Sequence, residues 1–171
     1  MLQAHRSSDV TFFKASGLEK IPGVVHAFST RREGGAKPVM ADASPPVVSE
    51  PAGFMAAVGL AGWPVSRLSQ VHSNVAHHVD DNEFANTTPE GDASYTGLTG
   101  LVLEVRTADC VPILIADGSS RVVGMAHAGW RGTSEGVVRK LVDSIVSDFG
   151  VSAGDLAVAI GPHIGVCCMD V

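Results

Sequence analysis

Cysteine and histidine side chains lie beside one predicted hairpin of this chain. Residues 111–116, VPILIA, and residues 121–127, RVVGMAH, are apolar runs separated by the turn-forming residues DGSS. If Asp117–Ser120 is the loop of an antiparallel hairpin, residues equidistant from its centre face each other, which pairs Cys110 with His127. Their Cβ atoms would then lie about 4.5–5.5 Å apart. That separation suits two ligands of one metal ion, or a nucleophilic thiol and its base.

The same pairing also has a purely structural interpretation. A small buried cysteine beside a core histidine would give the same spacing without any chemistry. Pro112 has no backbone N–H, so it predicts an edge, a bulge or the end of the strand pair at this point. A bulge would shift the register by one residue and turn one of the two side chains to the opposite face. The pairing of Cys110 with His127 therefore depends on the register.

His72, in the segment SQVHSN, is the candidate third member of this group. A catalytic zinc ion takes three protein ligands from His, Cys and carboxylate side chains and keeps a fourth position open. Two histidines and one cysteine would meet that requirement, although sequence spacing does not bring His72 to the hairpin. His77 and His78 are adjacent and point to opposite faces of a strand, so we expect surface residues or loop pairs there rather than ligands.

Other ionisable residues near these positions are expected to have supporting roles. Asp109 should face away from Cys110 on a regular strand, and it holds the loop or orients a ligand rather than acting as a general base. Asp92, in GDAS, has the same two alternatives. Cys167 and Cys168 are adjacent and cannot easily serve one metal ion together, so we expect structural thiols.

The rest of the chain predicts the elements that must position these side chains. Residues 23–30, Leu68–Val79, Leu101–Val105 and the buried segment DLAVAIGP favour strands, and FMAAVGL favours a short helix. Thr133 is a suitable N-cap for a longer helix that ends at Gly150. The apolar positions at helical spacing within it are Val137, Val138, Leu141, Val142, Ile145, Val146 and Phe149. Strands alternating with helices predict an α/β or α+β fold with a mixed sheet.

Composition excludes several classes of protein. The net charge of −6 and the absence of a basic run argue against non-specific nucleic-acid binding. No stretch contains the roughly 18 consecutive apolar residues that a membrane-spanning helix needs. The start of the chain lacks the apolar segment of a secretory signal. Three cysteines, two of them adjacent, make a poor disulfide framework. We therefore expect a cytoplasmic protein with neither a nucleic-acid nor a membrane partner.

Six segments of the chain together resemble the YfiH-like family. In chain order they are HAFSTRREGG, QVHSNV, GDASYT, LEVRTADCVPILIAD, GMAHAGWRGT and AIGPHIGVCCMDV. That family was first labelled multicopper polyphenol oxidoreductase (laccase) and later described as zinc-dependent purine nucleoside phosphorylase and adenosine deaminase. The match spans residues 23–171 and is densest from Gly91 onward.

The resemblance implies a metal site formed by His72, Cys110 and His127, with Cys110 and His127 also catalytic. It implies phosphorolysis of a purine nucleoside by phosphate, with adenosine deamination as a further activity. Arg31, in the glycine-rich segment STRREGG, is then the candidate phosphate ligand, because a guanidinium group binds phosphate through two hydrogen bonds. Arg131 is a second candidate, unless it only ties its turn together. The implied fold is α+β, a mixed β-sheet sandwich with flanking helices, similar to cytotoxic-necrotizing-factor-type cysteine hydrolases.

Zinc is expected rather than copper. A multicopper oxidase ligates several copper ions largely through imidazoles, often in His-x-His pairs. This chain has seven histidines and no His-x-His pair. The residues therefore support a single metal site.

The chain also departs from the family pattern. The usual SLN segment, and the Asn-Arg pair after it, are missing from the proline-rich region 36–58, and the STRREGG segment has one extra residue, so Arg32 is an alternative to Arg31. We expect one YfiH-like domain over residues 1–171 that lacks the family's C-terminal portion. Two other functions stay open: a metal-independent hydrolase of a peptide-like cell-wall precursor that uses Cys110 and His127, and a non-catalytic diverged paralogue. The oligomeric state is not predicted.

Overall fold

The computed structural model of the chain describes residues 1–7, 9–30, 52–81 and 87–169. Its strands in chain order are β1 (Leu2–Ser7), β2 (Val10–Ala15), β3 (Phe28–Ser29), β4 (Val65–Ser66), β5 (Ala76–His78), β6 (Ala93–Thr96), β7 (Val102–Leu103), β8 (Val111–Asp117), β9 (Val123–Ala128) and β10 (Leu156–Ile160). Its α-helices are α1 (Ala52–Ala57), α2 (Trp130–Ser134) and α3 (Val137–Phe149).

A five-stranded mixed sheet in the order β10-β8-β9-β6-β5 lies at the centre of the fold. β5 runs parallel to β6, and the other neighbouring pairs are antiparallel. A mixed sheet accompanied by further strands and three α-helices confirms the prediction of an α+β fold for the described residues. Among the described helices, none is long and apolar enough to cross a membrane.

One face of this sheet is covered by α3. The helix buries Val137, Leu141 and Ile145 against apolar side chains of β6, β8 and β9, as its periodicity predicts. Gly150 ends the helix with φ +62°, which confirms it as the terminator. The prediction of Thr133 as N-cap is wrong, because Thr133 lies inside the short helix α2. Gly136, with φ +81°, reorients the chain between the two helices, and α3 begins only after it.

The other face of the sheet packs against a three-stranded sheet in the order β1-β2-β3. The core between the two sheets contains Leu18, Ile21 and Phe28 on one side and Ala116 and Ala159 on the other. The strand expected over residues 23–30 is confined to β3, and the hairpin of β1 and β2 is not among the predicted elements. The result is a helix layer and two sheet layers.

The smaller predicted elements are present but shorter. The helix expected in FMAAVGL is α1. The strand expected over Leu68–Val79 is confined to β5, and that over Leu101–Val105 is β7, which pairs in parallel with β4. The last strand, β10, is at the sheet edge among the described strands rather than buried, and Val158 and Ile160 are each 54% exposed.

The hairpin of β8 and β9 has a register two residues away from the predicted one. Pro112 pairs with His127, so Cys110 is not opposite His127 and instead precedes the first residue of β8. The loop is shifted by one residue because Asp117 belongs to the strand, where its N–H donates to the carbonyl of Val122. Pro112 lies one pair from the end of the ladder, as its missing N–H predicts. A slip of two residues keeps every side chain on its own face of the sheet.

Candidate metal centre

His72, Cys110 and His127 converge at the end of the β8–β9 hairpin. Their candidate ligand atoms all lie within 4.8 Å of one another, and they are the one such group of three or more in the described parts of the chain. His127 is the penultimate residue of β9, Cys110 immediately precedes β8, and His72 lies in the loop before β5. His127 is buried, Cys110 is half-buried and His72 is exposed. The group is therefore attached to the sheet through His127 and is open to solvent on the side of His72.

The distances within this group suit a single small ion. The Sγ atom of Cys110 lies 3.8 Å from Nε2 of His72, and the two imidazole rings meet edge to face with centroids 4.8 Å apart. Zinc bonds of about 2.1 Å to nitrogen and 2.3 Å to sulfur place tetrahedral N and S ligands about 3.6 Å from each other. The Cys110–His72 pair is already close to this separation, and the three donors, which lie within 4.8 Å of one another, would draw together around a bound ion.

Asp92 holds His127 in the orientation that such a site needs. The carboxylate is fully buried, and its Oδ1 lies 2.7 Å from Nδ1 of His127. This contact leaves Nε2 of His127 as the free ligand atom, as in the carboxylate–histidine–metal arrangement. The backbone N–H of His127 also donates to the carbonyl of Asp92 at 2.7 Å.

The second carboxylate oxygen of Asp92 holds the loop that carries His72. Oδ2 accepts hydrogen bonds from the N–H and hydroxyl of Ser73, at 2.6 and 2.8 Å, and from the N–H of Val71 at 3.2 Å. His72, between them, has φ +61°, a left-handed conformation that costs free energy in a non-glycine residue. The hydrogen bonds on both sides of His72 stabilise this conformation. Asp92 thus orients one candidate ligand and holds the loop of another.

The pKa of Asp92 is lowered from its usual value. Burial alone would raise it, but the hydrogen bonds from His127, from the N–H and hydroxyl of Ser73 and from the N–H of Val71 outweigh burial. Asp92 is therefore a carboxylate whose oxygens are engaged, which makes it a positioning group rather than a general base. Sequence spacing did not decide between these alternatives.

The pKa of Cys110 is raised instead. Burial is the largest cause, and the negative charges of Asp109 and Asp92 add to it. The thiol form is therefore favoured when no cation is near the sulfur. A bound cation would reverse this preference, because it stabilises the thiolate.

Two glycines of the AGWRG segment make room for the loop of His72. A Cβ on Gly129 would lie 2.5 Å from Cδ2 of His72 and 3.2 Å from Sγ of Cys110. A Cβ on Gly132 would lie 2.8 Å from the carbonyl oxygen of Ser73. The two glycines are the sequence signal that another segment approaches the backbone here. The hydrogen bonds from Ser73 to Asp92 depend on tertiary contacts that the sequence does not show.

Among the candidate anion ligands, only Arg131 lies within the described residues, and it is not part of this group. Arg31 and its alternative Arg32 lie outside the described residues. Arg131 is exposed, and its guanidinium group lies 5.5 Å from the ring centroid of Trp130. Asp109 is exposed as well, and its carbonyl accepts the N–H of Ile164 at 3.0 Å.

His77, His78, Cys167 and Cys168 lie outside the group of His72, Cys110 and His127. His77 and His78 are half-buried in β5: Nε2 of His77 lies 2.8 Å from the carbonyl oxygen of Glu90, and His78 stacks on Tyr95. Cys167 and Cys168 are exposed, and their sulfur atoms lie 3.4 Å apart. Adjacency therefore does not keep these two sulfur atoms apart.

Residues 25–171 match the sequence model of the family described as multi-copper polyphenol oxidoreductase laccase. The chain belongs to this family. The predicted YfiH-like resemblance is confirmed, because the structure of YfiH from Bacillus licheniformis matches 94% of this chain and 60% of its own, with a TM-score of 0.70 and 25% identity.

Curated proteins and solved structures are also similar to this chain. A protein of Deinococcus radiodurans named purine nucleoside phosphorylase is 37% identical over 152 residues, which are 84% of this chain and 57% of that protein. One of Clostridium acetobutylicum with the same name is 39% identical over 107 residues, or 62% of this chain and 44% of that protein. The structure of YlmD from Geobacillus stearothermophilus gives a TM-score of 0.80 at 27% identity and covers 97% of this chain and 67% of its own. The chain thus spans about half the length of these two curated relatives.

Proposed function

We propose that this chain is a zinc-dependent purine nucleoside phosphorylase acting on adenosine- or inosine-type nucleosides. The observation that carries the proposal is the convergence of His72, Cys110 and His127 around one point, with Asp92 behind them. The names of the relatives support the reaction class. The reaction would transfer the ribosyl group from the purine base to phosphate.

The donor set supports zinc rather than several copper ions. Imidazole nitrogen and thiolate sulfur are both zinc ligands, and a catalytic zinc site uses three protein ligands and keeps a fourth position open. When bound, such an ion supplies Lewis-acid stabilisation of charge that develops on the reacting groups. Among the residues that the structure describes, one group of three donors is present, which supports a single ion.

The chain's own residues would position substrate on the exposed side of the trio of His72, Cys110 and His127. His127 is fixed from behind by Asp92, so its free Nε2 points to the same place as Sγ of Cys110 and Nε2 of His72. The rim formed by His72 is exposed, which leaves the approach of a nucleoside open. Substrate binding at this side would exclude water from the half-buried thiol.

Arg31 remains the proposed phosphate ligand, on the basis of the family motif. The described residues before it support this assignment. Phe28, three positions earlier, lies against Gly161 and therefore beside Pro112, which pairs with His127. Strand β3 thus ends near the end of the sheet that carries the trio. Arg32 is the alternative phosphate ligand. Measuring the KM for phosphate in Arg31→Ala and in Arg32→Ala would show which of the two arginines binds phosphate.

A metal-independent cysteine hydrolase has less support from the geometry. An activated nucleophilic cysteine has a lowered pKa, whereas that of Cys110 is raised by burial, Asp109 and Asp92. Nε2 of His72, which this hypothesis does not assign as the base, lies 3.8 Å from the sulfur of Cys110. Activity that survives chelation would favour this alternative.

Metal analysis combined with a nucleoside assay tests the proposal. We expect one zinc per chain, and release of adenine or hypoxanthine from adenosine or inosine only when phosphate is present. Cys110→Ala and His72→Ala should lose both the zinc and the activity, while the matched variant His5→Ala in β1 should keep both. Ammonia release from adenosine is recorded separately as the readout for deamination.

Two results would contradict the proposal. Stoichiometric copper in place of zinc would refute the choice of metal. Bound zinc without base release from any purine nucleoside would refute the reaction and favour the non-catalytic alternative.

A further inference from the structure

The adjacent thiols Cys167 and Cys168 lie outside the trio and have no part in the proposed reaction. Both side chains are exposed, and their sulfur atoms are 3.4 Å apart. Neither belongs to the candidate metal group of His72, Cys110 and His127. These two accessible, neighbouring thiols form a second pair of soft metal ligands, apart from Cys110.

The segment that carries this pair is held by backbone hydrogen bonds. The N–H of Gly161 donates to the carbonyl of Pro112 at 2.9 Å, and the N–H of Ile164 donates to that of Asp109 at 3.0 Å. Within the turn, the N–H of Cys168 donates to the carbonyl of Gly165 at 2.9 Å. The two sulfur atoms are therefore presented on a turn that is anchored to the start of β8.

The spacing of the two sulfur atoms suits chelation better than oxidation. Two thiolates bound to one ion at about 2.3 Å in tetrahedral geometry lie about 3.8 Å apart, which is close to the observed separation. The Cα atoms of adjacent residues are only about 3.8 Å apart, below the range of about 4.4–6.8 Å for an ordinary disulfide. A disulfide between Cys167 and Cys168 would therefore be strained, whereas a larger atom between the sulfurs relieves that constraint.

The ligand set also selects the kind of atom that would bind. Among the described residues, no His, Cys, Asp or Glu joins the pair to make a group of three. Structural zinc requires four ligands, whereas soft ions and metalloids of low coordination number prefer thiolate sulfur. We propose that Cys167 and Cys168 form a chelating dithiol site for a soft, thiophilic ion or metalloid, separate from the trio.

A monosubstituted trivalent arsenical is the probe for this site. It carries one arsenic-bound oxygen, and its reaction with two thiols forms two As–S bonds while both thiol protons leave with that oxygen as one water molecule. No oxidant or reductant is consumed. The second As–S bond forms within the same molecule, so chelation should exceed single-thiol binding by about 10²–10⁴-fold.

The test uses the full reduced chain in a Cys110→Ala background, so that the trio's sulfur cannot contribute. Intact-mass analysis should show one arsenical per chain that survives excess monothiol and is removed by a small dithiol. Adding either Cys167→Ser or Cys168→Ser should weaken binding by about 100-fold or more. Thermal unfolding of each variant shows that it is folded, and a Cys110→Ser background replaces Cys110→Ala if the latter is not.

The outcomes separate clearly. A monothiol-resistant adduct that persists after either serine substitution would overturn the proposal. An absence of any such adduct in the folded Cys110→Ala or Cys110→Ser chain would overturn it as well. Because these measurements involve no nucleoside, they stand apart from the test of the proposed phosphorylase activity.

Discussion

The two faces of the central sheet use the same strands for different purposes. On β6 and β9, Ala93, Tyr95 and Ala126 point towards α3 and pack in an apolar core, while His127 and Asp92, which immediately precedes β6, are on the opposite face. The apolar face depends on volume and tolerates exchange among similar side chains. The polar face depends on individual hydrogen bonds with fixed partners. Strand alternation thus keeps a packing function and a chemical function one residue apart.

The largest expected effect of a single change is on the apolar face. Leu141→Ala removes a side chain that is fully buried between α3 and the sheet. It should lower the free energy of unfolding by about 2–5 kcal/mol, measured by urea denaturation. The zinc affinity of the folded protein should stay unchanged, and the exposed neighbour Lys140→Ala should alter stability by no more than about 0.5 kcal/mol. Loss of zinc affinity in Leu141→Ala would show that the two faces are not independent.

On the polar face, Asp92→Asn should act mainly on the metal centre. An amide cannot accept hydrogen bonds from His127, Ser73 and Val71 as the charged carboxylate does. Zinc affinity should fall by about 10–100-fold in a competition titration with a chelator. Asp143→Asn, the same change at an exposed position of α3, is the matched control. Equal zinc affinity in Asp92→Asn and the native chain would remove Asp92 from the site.

Gly129→Ala tests the space beside the trio with the smallest added group. The new Cβ would lie 2.5 Å from Cδ2 of His72, so the imidazole must move away. We expect zinc affinity to fall by about tenfold, or about 1.4 kcal/mol, without a comparable loss of stability. Gly17→Ala adds the same group where no atom lies within 4 Å and should bind zinc like the native chain. A native affinity in Gly129→Ala would mean that His72 is not confined by this glycine.

The smallest expected effect is on the pH dependence of stability and concerns His26, a buried histidine outside the candidate metal centre. Its buried Nε2 accepts the N–H of Ala15 at 2.8 Å, and burial, followed by the nearby charge of Lys14, lowers its pKa below the usual 6.5. Because the folded protein favours neutral His26, its contribution to stability is complete above pH 6.5. That contribution is lost as the pH falls through the lowered pKa of the folded state.

His26→Gln keeps an acceptor for the N–H of Ala15 but removes the titration. Urea unfolding of both proteins between pH 7.5 and the lowest pH at which they fold should show a stability difference that shrinks or reverses towards acid. A constant difference across this range would contradict the assignment. The measurement is a difference between two proteins, so other titrating groups cancel.

Sequence reasoning identified the elements of the apolar face better than those of the polar face. The helical spacing of Val137, Leu141 and Ile145 and the terminator Gly150 predicted most of α3, because periodicity is a local signal. The break at Gly136 was missed, since a left-handed glycine between two helical turns leaves no trace in the hydrophobic pattern. The hairpin of β1 and β2 was missed because exposed and half-buried residues alternate weakly along β1.

The pairing of Cys110 with His127 was predicted from the hairpin, and the family motifs implied the full trio with His72. The contacts that bring the three side chains together could not be predicted from the sequence. The register of the hairpin depends on whether Asp117 belongs to the strand or to the turn, and the turn residues alone favoured the wrong choice. The two roles of Asp92 require contacts with residues 19 to 35 positions away along the chain. Such contacts are set by tertiary packing, which spacing within one segment does not reveal.

The parity of the β8–β9 ladder limits how this hairpin can change during evolution. Insertion or deletion of two residues within one strand would return the same side chains to the same layer, so a working centre could survive such an event after local repacking. A single-residue insertion would instead send imidazole into the helix-packed layer and alanine towards the thiol. Length variation among relatives should therefore be found in the connecting turn or in even steps within these strands, and an odd step inside β9 would mark a chain without the proposed metal site.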